Sequence, residues 1–280
     1  MGEKRFDLKF NYHYTTQCDM KCSYCFKPSD GDLDESLIIS TFKNICKVTS
    51  KVNLVGGEVF LDVELLYKLV RLGVENGTEI SIVTNGLILS KILDNWKIKY
   101  IIKNITLLGI SVDSFSVRKN LSIKRCNIKK ETLDFQKVVD ISKLCSELGT
   151  PIKINTVVSK INLNEIFMEK IQTINPLKWK LLQVVTDDEE VAISQKELQQ
   201  FAVSNFVEKI DIRVEDTKLL TNSYIICNSR GTIFHNQKFY QEHNINSVVD
   251  EDDSSLMMKK FKDILIGIGF DLSLYNKRYS

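Results

Sequence analysis

Residues 16–26 read TQCDMKCSYCF, three cysteines within eight positions and no fourth to complete a set. Structural zinc sites want four closed ligands, usually two Cys-x2-Cys pairs or one such pair with two histidines. Here the spacing is Cys-x3-Cys-x2-Cys, and the only nearby histidine is His13, just upstream. A Cys3His zinc site is one reading. The other is a [4Fe-4S] cube, on which three thiolates leave one iron without a protein ligand and open to a small molecule. The remaining cysteines, Cys46, Cys126, Cys145 and Cys227, are scattered, and an odd total of seven argues against a disulfide framework.

What surrounds this loop sets the architecture. "FDLKFNYHY" (6–14) alternates like a strand and leads into the cysteines. "DESLIISTFKNICKVT" (34–49) then carries apolar residues at helical spacing behind an Asp cap. "KVNLVGG" (51–57) reads as the next strand, and "LDVELLYKLVRLGVENG" (61–77) as its helix, stopped at Gly77. The alternation continues as "EISIVTNG" with "LSKILDNW", "ITLLGISVD" with "KETLDFQKVVDISKLCSELG", "PIKINTVV" with "LNEIFMEKIQTI", and "KWKLLQVV" with the polar stretch after it. Six strand-then-helix steps predict parallel strands with crossover helices, an α/β sheet curling into a partial barrel. Function in such folds sits at the C-terminal ends of strands, where the cysteine loop falls. From about residue 208 the pattern loosens, with "KIDIRV", "SYIICNS" and "GTIFH" as short strands and "SSLMMKKFKDILIGIGF" as a late helix. We therefore expect a barrel over 1–207 and, in the same folding unit, an extension over 208–280 that caps its mouth.

Charge excludes some partners. With 38 Lys and Arg against 36 Asp and Glu, the formal net charge is +2, too small to steer the whole protein onto nucleic acid or an anionic membrane. No run approaches the roughly 18 apolar residues of a membrane span, and the charged start "MGEKRFDLKF" is unlike a signal peptide. The reading is a cytoplasmic protein, a monomer, with no direct nucleic-acid or membrane binding.

Local cations are another matter. Side chains alternate along a strand, so Lys51 and Asn53 share a face, as do Lys153 and Asn155, and Lys178 and Lys180. If Ile154, Trp179 and Leu181 face the helices, the lysines face inward. A buried lysine is costly unless an anion meets it, so several on three strands point to a polyanion such as a triphosphate.

Cys-x3-Cys-x2-Cys with an aromatic residue before the last cysteine resembles the signature of the radical S-adenosylmethionine (SAM) superfamily. "GGE" (Gly56, Gly57, Glu58) one strand later is similar to the motif that grips the SAM amino group, and "TNG" (84–86) and "SVDS" (111–114) to ribose- and carboxylate-contacting positions. Together with "NYHYTTQCDMKCSYCF", "NLVGGEVFL", "ISVDSF", "KINTVVSKIN", "PLKWKLLQ" and "NSYII", the chain resembles the viperin family across nearly its whole length.

That resemblance implies a partial (β/α)6 radical SAM barrel and two cofactors, a [4Fe-4S] cluster on Cys18, Cys22 and Cys25, and SAM held by Tyr24, Gly56, Gly57, Glu58, Asn85, Ser111 and Arg125. It implies conversion of a ribonucleoside triphosphate to its 3′-deoxy-3′,4′-didehydro form, a chain-terminating antiviral nucleotide, with CTP favoured and UTP or GTP open. Lys51, Lys153, Lys178, Lys180 and the tail's Arg278 would hold the triphosphate. Asn11, Asn53, Asn155, Glu215 and Tyr224 would complete the substrate site, with Tyr224 near the ribose in a catalytic role. An electron donor such as a flavodoxin or ferredoxin is implied as partner. Three departures stand out: Lys178 replaces an arginine of vertebrate relatives, Val55 replaces a serine, and their N-terminal amphipathic helix is missing. The alternatives are a radical SAM enzyme for another anionic substrate, against which the isolation of Cys227 counts, and a non-catalytic iron-sulfur or zinc protein.

Overall fold

The computed structural model describes residues 5–25, 34–220, 223–235, 238–249 and 253–279. They divide into two compact units, one comprising Met1–Gln17, Phe26–Ile82 and Leu219–Ser280, the other Cys18–Cys25 and Val83–Lys218.

In the first unit β1 (Phe6–Thr15) leads to α1 (Glu35–Val48), β2 (Thr49–Gly56), α2 (Val63–Glu75) and β3 (Glu79–Thr84). Asp34 and Asp62 cap the two helices, accepting from Ser36 N and Leu65 N respectively, contacts of about 1 kcal/mol each. β1 and β2 run parallel, with Asn11 opposite Asn53 and Thr15 opposite Gly56, and β2 and β3 are parallel too. β1 begins by alternating but is buried on both faces from Phe10 to Tyr14, because α1 covers one side and polar neighbours the other. Tyr12, Phe42 and Ile45 anchor that core.

The second unit contains α3 (Trp96–Lys103), β4 (Leu107–Ser111), α4 (Val117–Ser122), α5 (Phe135–Glu147), β5 (Ile152–Val158), α6 (Met168–Ile174), β6 (Lys178–Gln183), α7 (Gln195–Ser204) and β7 (Asp211–Glu215). β4 to β7 pair in sequence order, all parallel. Ile154, Trp179 and Leu181 are fully buried, and Trp179 packs on Phe167 and Phe201.

A helical turn, α8 (Thr217–Leu220), leads back to the first unit, where β8 (Ile225–Asn228) pairs parallel with β1 and then antiparallel with β9 (Thr232–His235). β10 (Lys238–Asn244), α9 (Ser254–Gly267) and α10 (Leu272–Tyr279) finish the chain. "KIDIRV", expected in the extension, forms β7 and pairs with β6; the later segments group with β1 and β2. "LSKILDNW" differs from its helical reading. The helix starts only at Trp96, where Asn95 accepts from Lys97 N, and buries Ile98, Ile101 and Ile102. The described strands form one largely parallel sheet that is not closed.

Candidate active site

The cysteine loop is held within the second unit by side chains aimed at its sulfurs. Cys18 Sγ accepts from Met20 N at 3.4 Å and from Asn85 Nδ2 at 3.9 Å; the same amide donates to Asp19 Oδ1 at 2.7 Å. Cys22 Sγ accepts from Arg125 Nη1 at 3.8 Å. Ser23 N donates to Ile123 O at 3.0 Å, fixing the middle of the loop.

Asp113 organises this end. Its side chain is 1% exposed, and Oδ2 accepts from Tyr24 Oη at 2.7 Å and pairs with Arg125 Nη1 at 2.9 Å. Its Oδ1 takes Val157 N at 2.8 Å, while Arg125 Nη2 donates to Ser111 O at 2.8 Å. Burial opposes the guanidinium's charge, yet Asp113, Cys22, Tyr24 and Cys18 hold the Arg125 pKa above its ordinary value. Burial, aided by the Asp113 charge, pushes the Tyr24 hydroxyl well up, so it stays a donor. Burial also raises the Cys22 thiol, with Arg125 opposing.

These residues fit a [4Fe-4S] cluster. All three cysteines are free thiols, and two have sulfurs that already receive N–H donors of the kind that stabilise cluster-bound thiolates. His13, the fourth ligand of the zinc reading, is buried on β1, where burial lowers its pKa to about 4.

In the first unit, Gly56 and Gly57 have a reason beyond making room for a ligand. Gly57 N donates to Thr15 O at 2.8 Å and Glu58 N to Gln17 O at 2.7 Å. A Cβ on Gly57 would stand 1.8 Å from Gln17 O; one on Gly56, at φ +147°, would stand 2.2 Å from Thr15 O. Only glycine lets this turn and the incoming strand lie so close. Glu58 is fully buried, and its Oε1 accepts from Phe60 N at 3.1 Å. Asn11 and Asn53 meet: Asn53 Nδ2 donates to Asn11 Oδ1 at 2.9 Å, and Ser81 Oγ donates to Asn53 Oδ1 at 2.9 Å. Lys51 pairs with Asp7 at 2.6 Å. Tyr224, half-buried, directly precedes β8. The Arg278 side chain lies outside the described residues.

Three of the lysines singled out lie on neighbouring strands of the second unit. Lys153 lies opposite Lys178, and Asn155 opposite Lys180. Lys180 Nζ bonds Glu215 Oε1, and this pair is almost wholly buried, at 9% and 2% side-chain exposure. Lys178 Nζ reaches Asp211 Oδ2 at 3.3 Å. Ser111 at the end of β4 lies opposite Asn155, so one row links the cysteine end to the lysines.

Sequence reasoning missed Asp19, Ser81, Asp113, Asp211 and Arg213. Asp113 stood inside the quoted "SVDS" stretch, where an acid between two serines was a signal that could have been used. Ser81, Asp211 and Arg213 become visible only through strand register, and Asp19 only through its bond from Asn85.

The sequence profile of the radical SAM superfamily matches residues 12–169. An S-adenosylmethionine-dependent nucleotide dehydratase of Fibrobacter sp. is 30% identical, over 97% of this chain and 88% of its own length. Proteins of the same description from Psychrobacter lutiphocae and Siniperca chuatsi are 28% and 29% identical over 83% and 96% of this chain, and over 84% and 77% of their own. Among solved structures, anSMEcpe with bound AdoMet and the Cp18Cys peptide superimposes with a TM-score of 0.64 at 17% identity, covering 97% of this chain and 82% of that one. Streptococcus suis SuiB bound to S-adenosylmethionine gives 0.61 at 15% identity, covering 97% and 67%. These structural likenesses show the fold.

The chain belongs to the radical SAM superfamily, and within it to the viperin-type family of S-adenosylmethionine-dependent nucleotide dehydratases. It is a radical SAM enzyme, and the cofactors of that family are a [4Fe-4S] cluster and SAM. Among the described residues no helix is long and apolar enough to cross a membrane.

Proposed function

We propose that this enzyme dehydrates a ribonucleoside triphosphate to its 3′-deoxy-3′,4′-didehydro form. The observation that carries the reading is the pairing, within one compact unit, of a thiol loop fitted for a cluster with a face bearing Lys153, Lys178 and Lys180. The dehydratase names of the relatives agree with it.

With SAM bound, the cluster supplies a 5′-deoxyadenosyl radical able to take a hydrogen from an unactivated carbon. The chain's residues hold and orient what that radical meets. Cys18, Cys22 and Cys25 ligate the cluster. Gly56, Gly57 and Glu58 receive the SAM ammonium, Asn85, Ser111 and Arg125 serve its ribose and carboxylate, and Tyr24 lines the adenine. Lys51, Lys153, Lys178, Lys180 and Arg278 neutralise the triphosphate. Asn11, Asn53 and Asn155 orient the nucleoside by hydrogen bonds, Glu215 holds Lys180, and Tyr224 attends the ribose. The substrate's ribose would give its 4′ hydrogen atom to the SAM-derived radical and lose its 3′-hydroxyl, with one proton, as water, and one further electron would complete the didehydro product. CTP is the first candidate, then UTP, with GTP open; Val55 brings no hydrogen bond to that choice. The product would terminate polymerase chains and serve antiviral defence. A flavodoxin or ferredoxin would supply electrons to a cytoplasmic monomer.

The test is anaerobic reconstitution, reduction, and incubation with SAM and each of the four ribonucleoside triphosphates, read by mass spectrometry. We expect 5′-deoxyadenosine to form in step with a nucleotide lighter by one water. SAM cleavage indifferent to all four nucleotides would sink the assignment.

A further inference from the structure

The face that carries Lys178 and Lys180 continues onto β7, where Lys178 lies opposite Asp211, Lys180 opposite Arg213 and Leu182 opposite Glu215. Two-residue spacing puts Asp211, Arg213 and Glu215 on one side of β7. Their ion pairs identify that side as the lysine side, since Asp211 bonds Lys178 and Glu215 bonds Lys180. Asp211 also accepts from Arg213 Nε at 2.6 Å, so a single carboxylate bridges a lysine and an arginine. Among the described residues, strand register thus places Lys153, Lys178, Lys180 and Arg213 on one face with Asp211 and Glu215.

We propose that Arg213 is a further phosphate-binding residue and that Asp211 is an internal counter-ion whose place the substrate's phosphates take; this rests on the nucleotide reading above. A lysine and an arginine held by one shared carboxylate can exchange it for a more highly charged anion. A guanidinium suits a phosphate better than an ammonium does, because its planar donors match two oxygens at once. Asp211 competes with that phosphate. Burial works against its charge, but hydrogen bonds from Arg213 and Lys178 hold its carboxyl below the ordinary carboxylate range, so it remains an anion at neutral pH. The terminal phosphates of a triphosphate carry the charge that displaces it; a monophosphate has too little. Arg213 is therefore a determinant of phosphate number rather than of base.

The test measures equilibrium binding of the tri-, di- and monophosphate of one nucleoside to the reconstituted full chain, wild type against Arg213→Met, Arg213→Lys and Asp211→Asn. Arg213→Met should weaken triphosphate binding about tenfold, the loss of one charge-assisted contact, and leave the monophosphate unchanged, with Arg213→Lys in between. Asp211→Asn should tighten triphosphate binding, whereas a carboxylate that merely positions the cations would weaken it when removed. Triphosphate affinity unmoved by Arg213→Met, or lowered by Asp211→Asn, overturns the proposal. Should Asp211→Asn fail to fold, the Arg213 pair decides alone. A wild type that binds no triphosphate would sink the functional reading instead.

Discussion

The cysteine end and the strand face of the second unit are both built from buried charge, but they are balanced differently. Around the loop, one carboxylate, Asp113, meets one guanidinium, Arg125, and each has further hydrogen bonds that satisfy it. On β5 to β7, Asp211 serves both Lys178 and Arg213, while Glu215 meets Lys180. A balanced site keeps its geometry whether or not a ligand is present, which suits a resident cofactor. An unbalanced one is completed by its ligand, which suits a substrate that must leave.

The sharpest way to separate the two is Cys22→Ala. Iron content and turnover should fall to background, while triphosphate affinity stays near wild type; parallel loss of both would dissolve the distinction. Next come the buried pairs. Lys180→Met leaves Glu215 ionised without its partner and should cost about 3–5 kcal/mol in denaturant unfolding, most of it recovered by adding Glu215→Gln. If the single change is silent, Glu215 is not held as a charge.

A smaller effect concerns β1 of the first unit. Unfolded, the His13 imidazole protonates near pH 6.5, whereas burial lowers this to about 4 in the fold. Between those values the unfolded chain binds the extra proton, so stability falls as pH drops through that window, by about 3 kcal/mol in all. Unfolding titrations should show that slope, and His13→Asn should flatten it. The smallest expected change is at Lys51–Asp7, whose carboxylate side chain is 77% exposed. Asp7→Asn should alter stability by less than about 1 kcal/mol, and a larger loss would move this pair into the class of buried ones.

How much of this could be read from the sequence differs in the same way. The cluster cysteines and the glycine turn are contiguous motifs, and the lysines follow from the period of a strand, so all were legible. Their partners were not. Glu215 is 35 positions from Lys180, and Asp113 is 89 from Tyr24; only parallel register and loop packing bring them together. "LSKILDNW" misled because its apolar residues fit a helix, while the helix is capped by Asn95 and starts later. The strand–helix alternation survived such errors because it depends on the order of elements rather than on their ends.

Gly57 bears on how genetic data for this enzyme should be read. Its hydrogen position is filled, in effect, by the carbonyl of Gln17, so any side chain there strains the backbone before SAM enters the question. In a deep mutational scan that scores abundance as well as activity, Gly57 should lose both together, like Phe42 or Trp179. Asn85, which points at a sulfur rather than at the main chain of a strand, should lose activity and keep abundance.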